Sequence, residues 1–239
     1  AGWGGGGGGG GAGGGVGGEN SAFIRFKTSR YNIAKSALAG TIFTGAGASA
    51  TWISSKGLSA HKPEQPVLAF DAGTTGTTGG TCVATVTDCW VVDNPSGQAS
   101  HGRNADVTFT RCLIQRTRTT GQFNSGNFRL RDSHVVEIPV NSNTFVDGDN
   151  DGFYLNGGNH ELTDSVIGWT KDDGMDSGGD AVGQVVIDRC WFEACFHEGL
   201  AWSGDKIGTV IDSVFINCGQ GIECGYSNTS STLARPDVT

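Results

Sequence analysis

Long apolar runs are missing from this 239-residue chain. None approaches the roughly 18 consecutive apolar residues that a membrane-spanning helix requires, so no such span is expected. No cationic start leads into an apolar stretch either, and the expectation is a mature or excised chain without a retained signal peptide. Basic clusters are missing too. Sixteen Lys and Arg stand against twenty-four Asp and Glu, a formal net charge of −8. Without a patch to neutralise phosphates, no nucleic-acid partner is expected. Methionine occurs once and proline five times, and only 17% of the residues are charged. Strong helix formers in periodic runs are scarce. These shortages point away from helix bundles and toward an all-β chain of short strands and turns.

What the chain has in excess is glycine. Of its 41 glycines, fourteen fall in the first 18 residues. Residues 1–20 therefore read as a Gly-rich low-complexity tail, which has much backbone entropy to lose and almost no side chains to bury. Residues 21–81 read as an N-terminal cap or first coils, with an alternating segment at 22–27 and a short helix expected around Asn32 to Leu38. The remainder, 82–239, carries a repeat.

Six copies align: VTDCWVV (86–92), FTRCLIQ (109–115), LRDSHVV (130–136), LTDSVIG (162–168), IDRCWFE (187–193) and VIDSVFI (210–216). Each has an apolar residue, a spacer, Asp or Arg, then Cys or Ser, any residue and another apolar residue. The Cys/Ser position recurs at spacings of 23, 21, 32, 25 and 23, the length of one solenoid coil. A second register is a glycine followed by an alternating strand: Gly97, Gly121, Gly152, Gly174, Gly199 and Gly221. Alternation turns Phe153, Met175, Leu200 and Ile222 inward, and Tyr154, Asp176, Ala201 and Glu223 outward. An antiparallel sandwich would need two-residue hairpin signals, which are few. The pattern resembles the right-handed parallel β-helix superfamily. That resemblance implies three short strands per coil, with the column Asp88, Arg111, Asp132, Asp164, Arg189 and Asp212 at the turn where such proteins often carry an Asn ladder. Pro236-Asp237-Val238-Thr239 repeats Ala105-Asp106-Val107-Thr108. A further coil is thus expected to begin there, completed by more chain or by self-association, to which the Gly-rich tail could also contribute.

Seven cysteines show no metal-ligand spacing. Cys89, Cys112 and Cys190 fall in the small inward column, and Cys195 aligns with Cys218 one coil on. Stacked core thiols are the plainer reading, while disulfides such as Cys82 with Cys89 or Cys195 with Cys218 stay open in an extracellular setting. Asn228-Thr229-Ser230 is a glycosylation sequon. Asp147-Gly148-Asp149-Asn150-Asp151-Gly152 matches the opening of an EF-hand-type loop, which makes Asp147, Asp149 and Asp151 calcium candidates with Glu161 or a neighbouring coil completing the shell. The alternative is a solvated acidic turn.

The residues preceding the repeat glycines are Asp151, Asp173, Glu198 and Gln220. Stacked one coil apart, about 4.8 Å, two carboxylates at an effective dielectric near 20 repel by roughly 3.5 kcal/mol. Asp173 has such a neighbour on both sides, so it must hold a proton, bind a cation, or balance its charge against Lys171 or His197. Asp-Gly before each strand is also ordinary turn chemistry. It leaves Tyr154, Lys171, Asp176, His197, Trp202 and Glu223 gathered on one face.

Asn150-Asp151-Gly152, Lys171-Asp172-Asp173-Gly174 and Phe196-His197-Glu198-Gly199 on successive coils resemble the NTD, DD and GHG motifs of polygalacturonase-like β-helix hydrolases, without the Thr of the first and with Glu198 in place of a glycine. The resemblance implies that Asp151, Asp172 and Asp173 supply the acid and base and that His197 orients them. Tyr154, Lys171, Asp176, Glu198, Trp202 and Glu223 would then contact substrate. The leading expectation is a secreted or cell-surface β-helix that binds polysaccharide and hydrolyses it, with a lyase as a variant. The alternatives are a structural filament or sheath subunit without catalysis and a calcium-dependent adhesin.

Overall fold

The structure, a computed structural model, describes the strand segments 23–25, 29–32, 41–44, 51–54 and 68–71, and then residues 82–138, 150–177, 183–203, 207–226 and 235–238. Of the short helix expected around Asn32 to Leu38, Asn32 ends a strand instead; residues 33–38, the Gly-rich tail, the 139–149 insertion with Asp147 and Asp149, and the Asn228 sequon lie outside these residues.

Every strand pairing in the described residues is parallel, and each coil contributes one strand to each of three faces. The first face stacks 82–87, 105–110, 127–131, Asn159–Thr163, Gln184–Asp188, Ile207–Ile211 and Arg235–Val238. The second stacks 90–92, 113–115, His134–Ile138, Val166–Thr170, Trp191–Glu193 and Val214–Ile216. The third stacks Leu68–Asp71, 100–103, 121–124, Phe153–Asn156, Met175–Ser177, Glu198–Ser203 and Gln220–Tyr226. The strands at 23–25 and 41–44 extend the first face, and those at 29–32 and 51–54 extend the second. This is an all-β parallel solenoid of about 23-residue coils. Alternate residues of all three faces meet inside: Phe109, Phe128, Leu162 and Ile187 from the first, Ile114, Val135, Ile167 and Phe192 from the second, Phe123, Phe153, Met175 and Leu200 from the third, all buried. Phe128 lies 4.4 Å from Phe123, 5.0 Å from Phe153 and 6.0 Å from Phe109 between ring centres.

The repeat is a backbone device. All six residues of the Asp/Arg column take left-handed φ, from 47° at Asp132 to 56° at Asp88, and a second left-handed corner follows five residues later at Asp93, Arg116, Glu137, Trp169, Ala194 and Asn217. Asp tolerates this region by bonding locally, whereas bulkier residues are strained there. Arg111 grips Asp88 at 2.7 and 2.9 Å, and Arg189 grips Asp164 at 2.7 and 2.8 Å. Both pairs are exposed, so they set spacing more than stability.

The Cys/Ser column follows from its hydrogen bonds. Ser133, Ser165 and Ser213 each donate Oγ–H to the carbonyl two residues back at 2.6–2.8 Å. The same oxygens accept the N–H of Cys112, Ser133 and Cys190 on the preceding coil. A buried position that must donate and accept in so small a volume admits Ser or Cys. The described cysteines Cys89, Cys112, Cys190, Cys195, Cys218 and Cys224 form no disulfide, so neither of the two left open above is made.

Three expected registers shift. The side-chain ladder runs five residues before the Asp/Arg column. Asn127 Nδ2 donates to Asp106 Oδ1 at 2.6 Å, Asn159 N to Asn127 Oδ1 at 3.1 Å and Gln184 N to Asn159 Oδ1 at 3.2 Å. Gly121 pairs with Phe153 rather than lying in the column of Gly152. Pro236 pairs with Gly208, placing Asp237 beside Thr209, two residues from the expected alignment.

Candidate functional site

The corner entering the third face is built by close backbone approach. A Cβ on Gly152 would lie 2.2 Å from the Gly174 carbonyl oxygen, one on Gly174 2.5 Å from that of Gly199, and one on Gly199 2.8 Å from that of Gly221. Only glycine fits this column, and it draws the preceding residues into register. Gly152 N donates to Asp173 O and Gly174 N to Glu198 O, each at 2.8 Å.

Asp151, Asp173 and Glu198 consequently stack as buried rungs. Asp151 Oδ1 accepts from Asp173 N at 3.2 Å, Asp173 Oδ1 accepts from Glu198 N at 2.9 Å, and Glu198 Oε1 accepts from Gln220 Nε2 at 2.7 Å. The column is a ladder of carboxylates, each holding the next coil's amide or side chain. Asp172 is also buried, while the His197 ring is half-exposed over the cluster. Its Nδ1 lies 3.6 Å from Asp172 Oδ1, 3.4 Å from Asp173 Oδ1 and 2.5 Å from Glu198 Oε2. Ligand atoms of Asp172, Asp173 and His197 all fall within 4.8 Å of one another.

Crowding shifts the titrations in the direction that electrostatics requires. Burial first, then the charges of Asp176, Asp173 and Asp172, push the Asp151 carboxyl well above its usual range, against the pull of the Asp173 amide. Burial, the hydrogen bond with Asp173 and the neighbouring acids push Glu198 up to about 9. Burial also lowers the Lys171 ammonium. Lys171 Nζ lies over the Phe196 ring, 5.3 Å from its centre, and forms no ion pair with the cluster among the described residues.

The outward column of the third face is His101, Gln122, Tyr154, Asp176, Ala201 and Glu223, each in register with the next. Tyr154, Asp176 and Glu223 thus share one face beside the acid corner. Trp202 does not join them. It is 0% exposed in the core, because it shares the inward phase of Leu200 and lies in register with Ser177 and Cys224. The space for its indole is left by Gly208, where a Cβ would lie 1.7 Å from the ring. It is therefore struck from the substrate-contact set. Asp151 of the expected calcium trio belongs to the carboxylate ladder, and Asp147 and Asp149 lie outside the described residues.

Two exposed aromatics near this corner were not anticipated, Trp169 and Phe196. Phe196 immediately precedes His197, so its place in the glycine register was a usable signal. Trp169 carried none, because its exposure follows from a left-handed corner that no residue type marks. No family model, curated protein or solved structure matches the chain.

Proposed function

We propose that the third face binds an extracellular polysaccharide and that the adjoining corner hydrolyses it, in a protein that acts outside the cell or at its surface. The observation that carries this reading is the outward run of His101, Gln122, Tyr154 and Asp176 on four successive coils beside the acids, with Glu223 resuming it beyond Ala201. Polar groups repeating at coil spacing, about 4.8 Å, suit a ligand that itself repeats. Tyr154 adds an aromatic surface for a sugar ring. Phe196 and Lys171 extend the platform toward the corner. Asp151, Asp172 and Asp173 supply the acid and base and His197 orients them, a division of labour that glycoside hydrolysis needs.

A panel of neutral and acidic polysaccharides tests the reading by affinity electrophoresis and reducing-end release. Tyr154→Ala should weaken binding about tenfold. Asp173→Asn keeps an oxygen for the Glu198 amide, so it should lower turnover by about 10²-fold or more with little change in thermal midpoint. Unchanged turnover removes the catalytic assignment, and failure to retain any polysaccharide removes the whole reading.

A further inference from the structure

We infer that Cys195 and Cys218 form a redox-active dithiol, a site that exchanges with low-molecular-weight disulfides and closes into a disulfide joining two successive coils. The inference needs only these two thiols and stands apart from the polysaccharide reading.

The backbone sets the pair. Glu193 pairs with Ile216 in register, and the ladder continues past the strand ends: Ala194 N donates to Ile216 O and Gly219 N to Cys195 O, each at 3.1 Å. Cys195 and Cys218 therefore stand opposite each other on neighbouring coils. The coil spacing, about 4.8 Å, falls inside the roughly 4.4–6.8 Å between Cα atoms that a disulfide spans. Their side chains also point the same way. A Cβ on Gly174 would lie 2.9 Å from Cys195 Sγ, and one on Gly199 3.3 Å from Cys218 Sγ. The two sulfurs thus occupy the same place beside successive glycines.

A second observation separates this pair from the other stacked thiols. Cys89 and Cys112 also lie one coil apart, but each directs its S–H to the carbonyl two residues back, Thr87 O at 3.1 Å and Thr110 O at 3.4 Å, and both are buried. Cys195 and Cys218 reach the equivalent carbonyls only at 4.0 and 3.6 Å. They hydrogen-bond to each other instead. Cys218 is half-buried and Cys195 is buried, so one sulfur of the pair meets a reagent from solvent and the other meets only its neighbour. The Cys195 thiol stabilises a thiolate at Cys218, which gives the outer sulfur the attacking role and the inner one the resolving role.

The exchange balances in two steps. The Cys218 thiolate attacks one sulfur of a small disulfide, forming a mixed disulfide and expelling a thiolate that takes up a proton. Cys195 then gives up its proton, and its sulfur attacks Cys218 Sγ and expels the second thiolate. Two protein thiols are oxidised to one disulfide while the small disulfide is reduced to two thiols. Closure ties a loop one coil long, which restricts the unfolded chain and stabilises the corner.

The test uses the full chain, reduced, freed of reductant and treated at neutral pH with glutathione disulfide, with no sugar present. Peptide mass mapping should find Cys195 linked to Cys218, in a chain lighter by two hydrogens that has released two glutathione molecules per link. The thermal midpoint should rise, and dithiothreitol should reverse every change. Cys195→Ser should stop at a mixed disulfide on Cys218 with a single glutathione released. Cys218→Ser, altered at a half-buried position, should stay folded by circular dichroism and leave Cys195 unmodified. Glutathione retained on Cys218 of the native chain, a link from Cys218 to Cys224, a Cys89–Cys112 link formed as fast, or reaction only after unfolding in urea overturns the inference.

Discussion

Cys218 ionises before Cys195, because the two thiols are stacked on adjacent coils and only one of them reaches water. Cys195 is 1% exposed, and both the hydrogen bond with Cys218 and burial push its thiol up. The same hydrogen bond stabilises the Cys218 thiolate and draws it down to about 6, as a donor to a thiolate should. Cys224 goes the other way, raised by burial and by Glu223. The reactive thiolate of Cys218 is therefore present above pH 6 and lost as pH falls through it. At pH 7 iodoacetamide should label Cys218 ahead of Cys224, with a rate falling about tenfold per unit below pH 6. Cys195→Ala removes the donor and should move the midpoint up toward about 8.5, the free-thiol value. Peptide mass mapping across pH decides it: a native midpoint above 8, or one unmoved in Cys195→Ala, sinks the assignment. The alignment of the two cysteines was legible in the sequence from the coil length alone. Their inequality was not, since it depends on how deep each sulfur lies. Trp202 shows the opposite failure. Alternation from Leu200 places it inside, and its outward assignment ran against that period.

The corner is the element that makes the coil, and its two left-handed positions carry unequal residues. At the first, four of six are Asp, and the sequence pattern revealed the column. At the second, Asp93, Arg116, Glu137, Trp169, Ala194 and Asn217 share no chemistry, so a backbone requirement left no mark in residue type. Ala194 sits there at φ 55°, a conformation costing an L-residue about 1–2 kcal/mol. Its N–H donates to Ile216 O at 3.1 Å, and a glycine would keep that bond. Ala194→Gly should therefore stabilise by about 0.5–1 kcal/mol after the greater entropy of unfolded glycine is subtracted, read as a higher urea midpoint at constant slope. A lower midpoint would show that the methyl packs more usefully than the strain costs. Gly158 is the converse case. At φ 80°, with a Cβ position 1.5 Å from the Gly126 carbonyl oxygen, Gly158→Ala should lose at least about 2 kcal/mol by the same measurement. The short ladder was equally legible in the sequence, with Asp106, Asn127 and Asn159 standing five residues before Arg111, Asp132 and Asp164. The resemblance to known β-helices drew the expectation to the turn itself instead of to the strand's first residue.

At the scale of the molecule, the candidate site was legible because a solenoid converts sequence period into spatial column. Asp151, Asp173 and Glu198 precede aligned glycines, and the glycines stack. What the period could not supply is which carboxylate holds which amide, since that depends on side-chain rotamers and the depth of each rung. The same one-dimensional construction makes a mechanical prediction. Each coil touches only its neighbours, so stability should behave as a sum of local terms and interface terms. Phe128 bridges three coils through Phe109, Phe123 and Phe153, and truncation to alanine should cost about 3–5 kcal/mol from lost burial and the cavity left behind. If coupling passes only between neighbours, native-state hydrogen exchange in Phe128→Ala should quicken in 105–110, 121–131 and 153–163. Protection at 207–211, whose strand pairs with 184–188 and 235–238, should stay at its native value. An equal loss of protection in that distant segment would mean that the solenoid opens as one cooperative unit, with faces locked together more tightly than stacking alone provides. Confinement to the neighbouring coils would mean that the acid corner at 172–173 and 197–198 can be altered without disturbing the solenoid around Phe128.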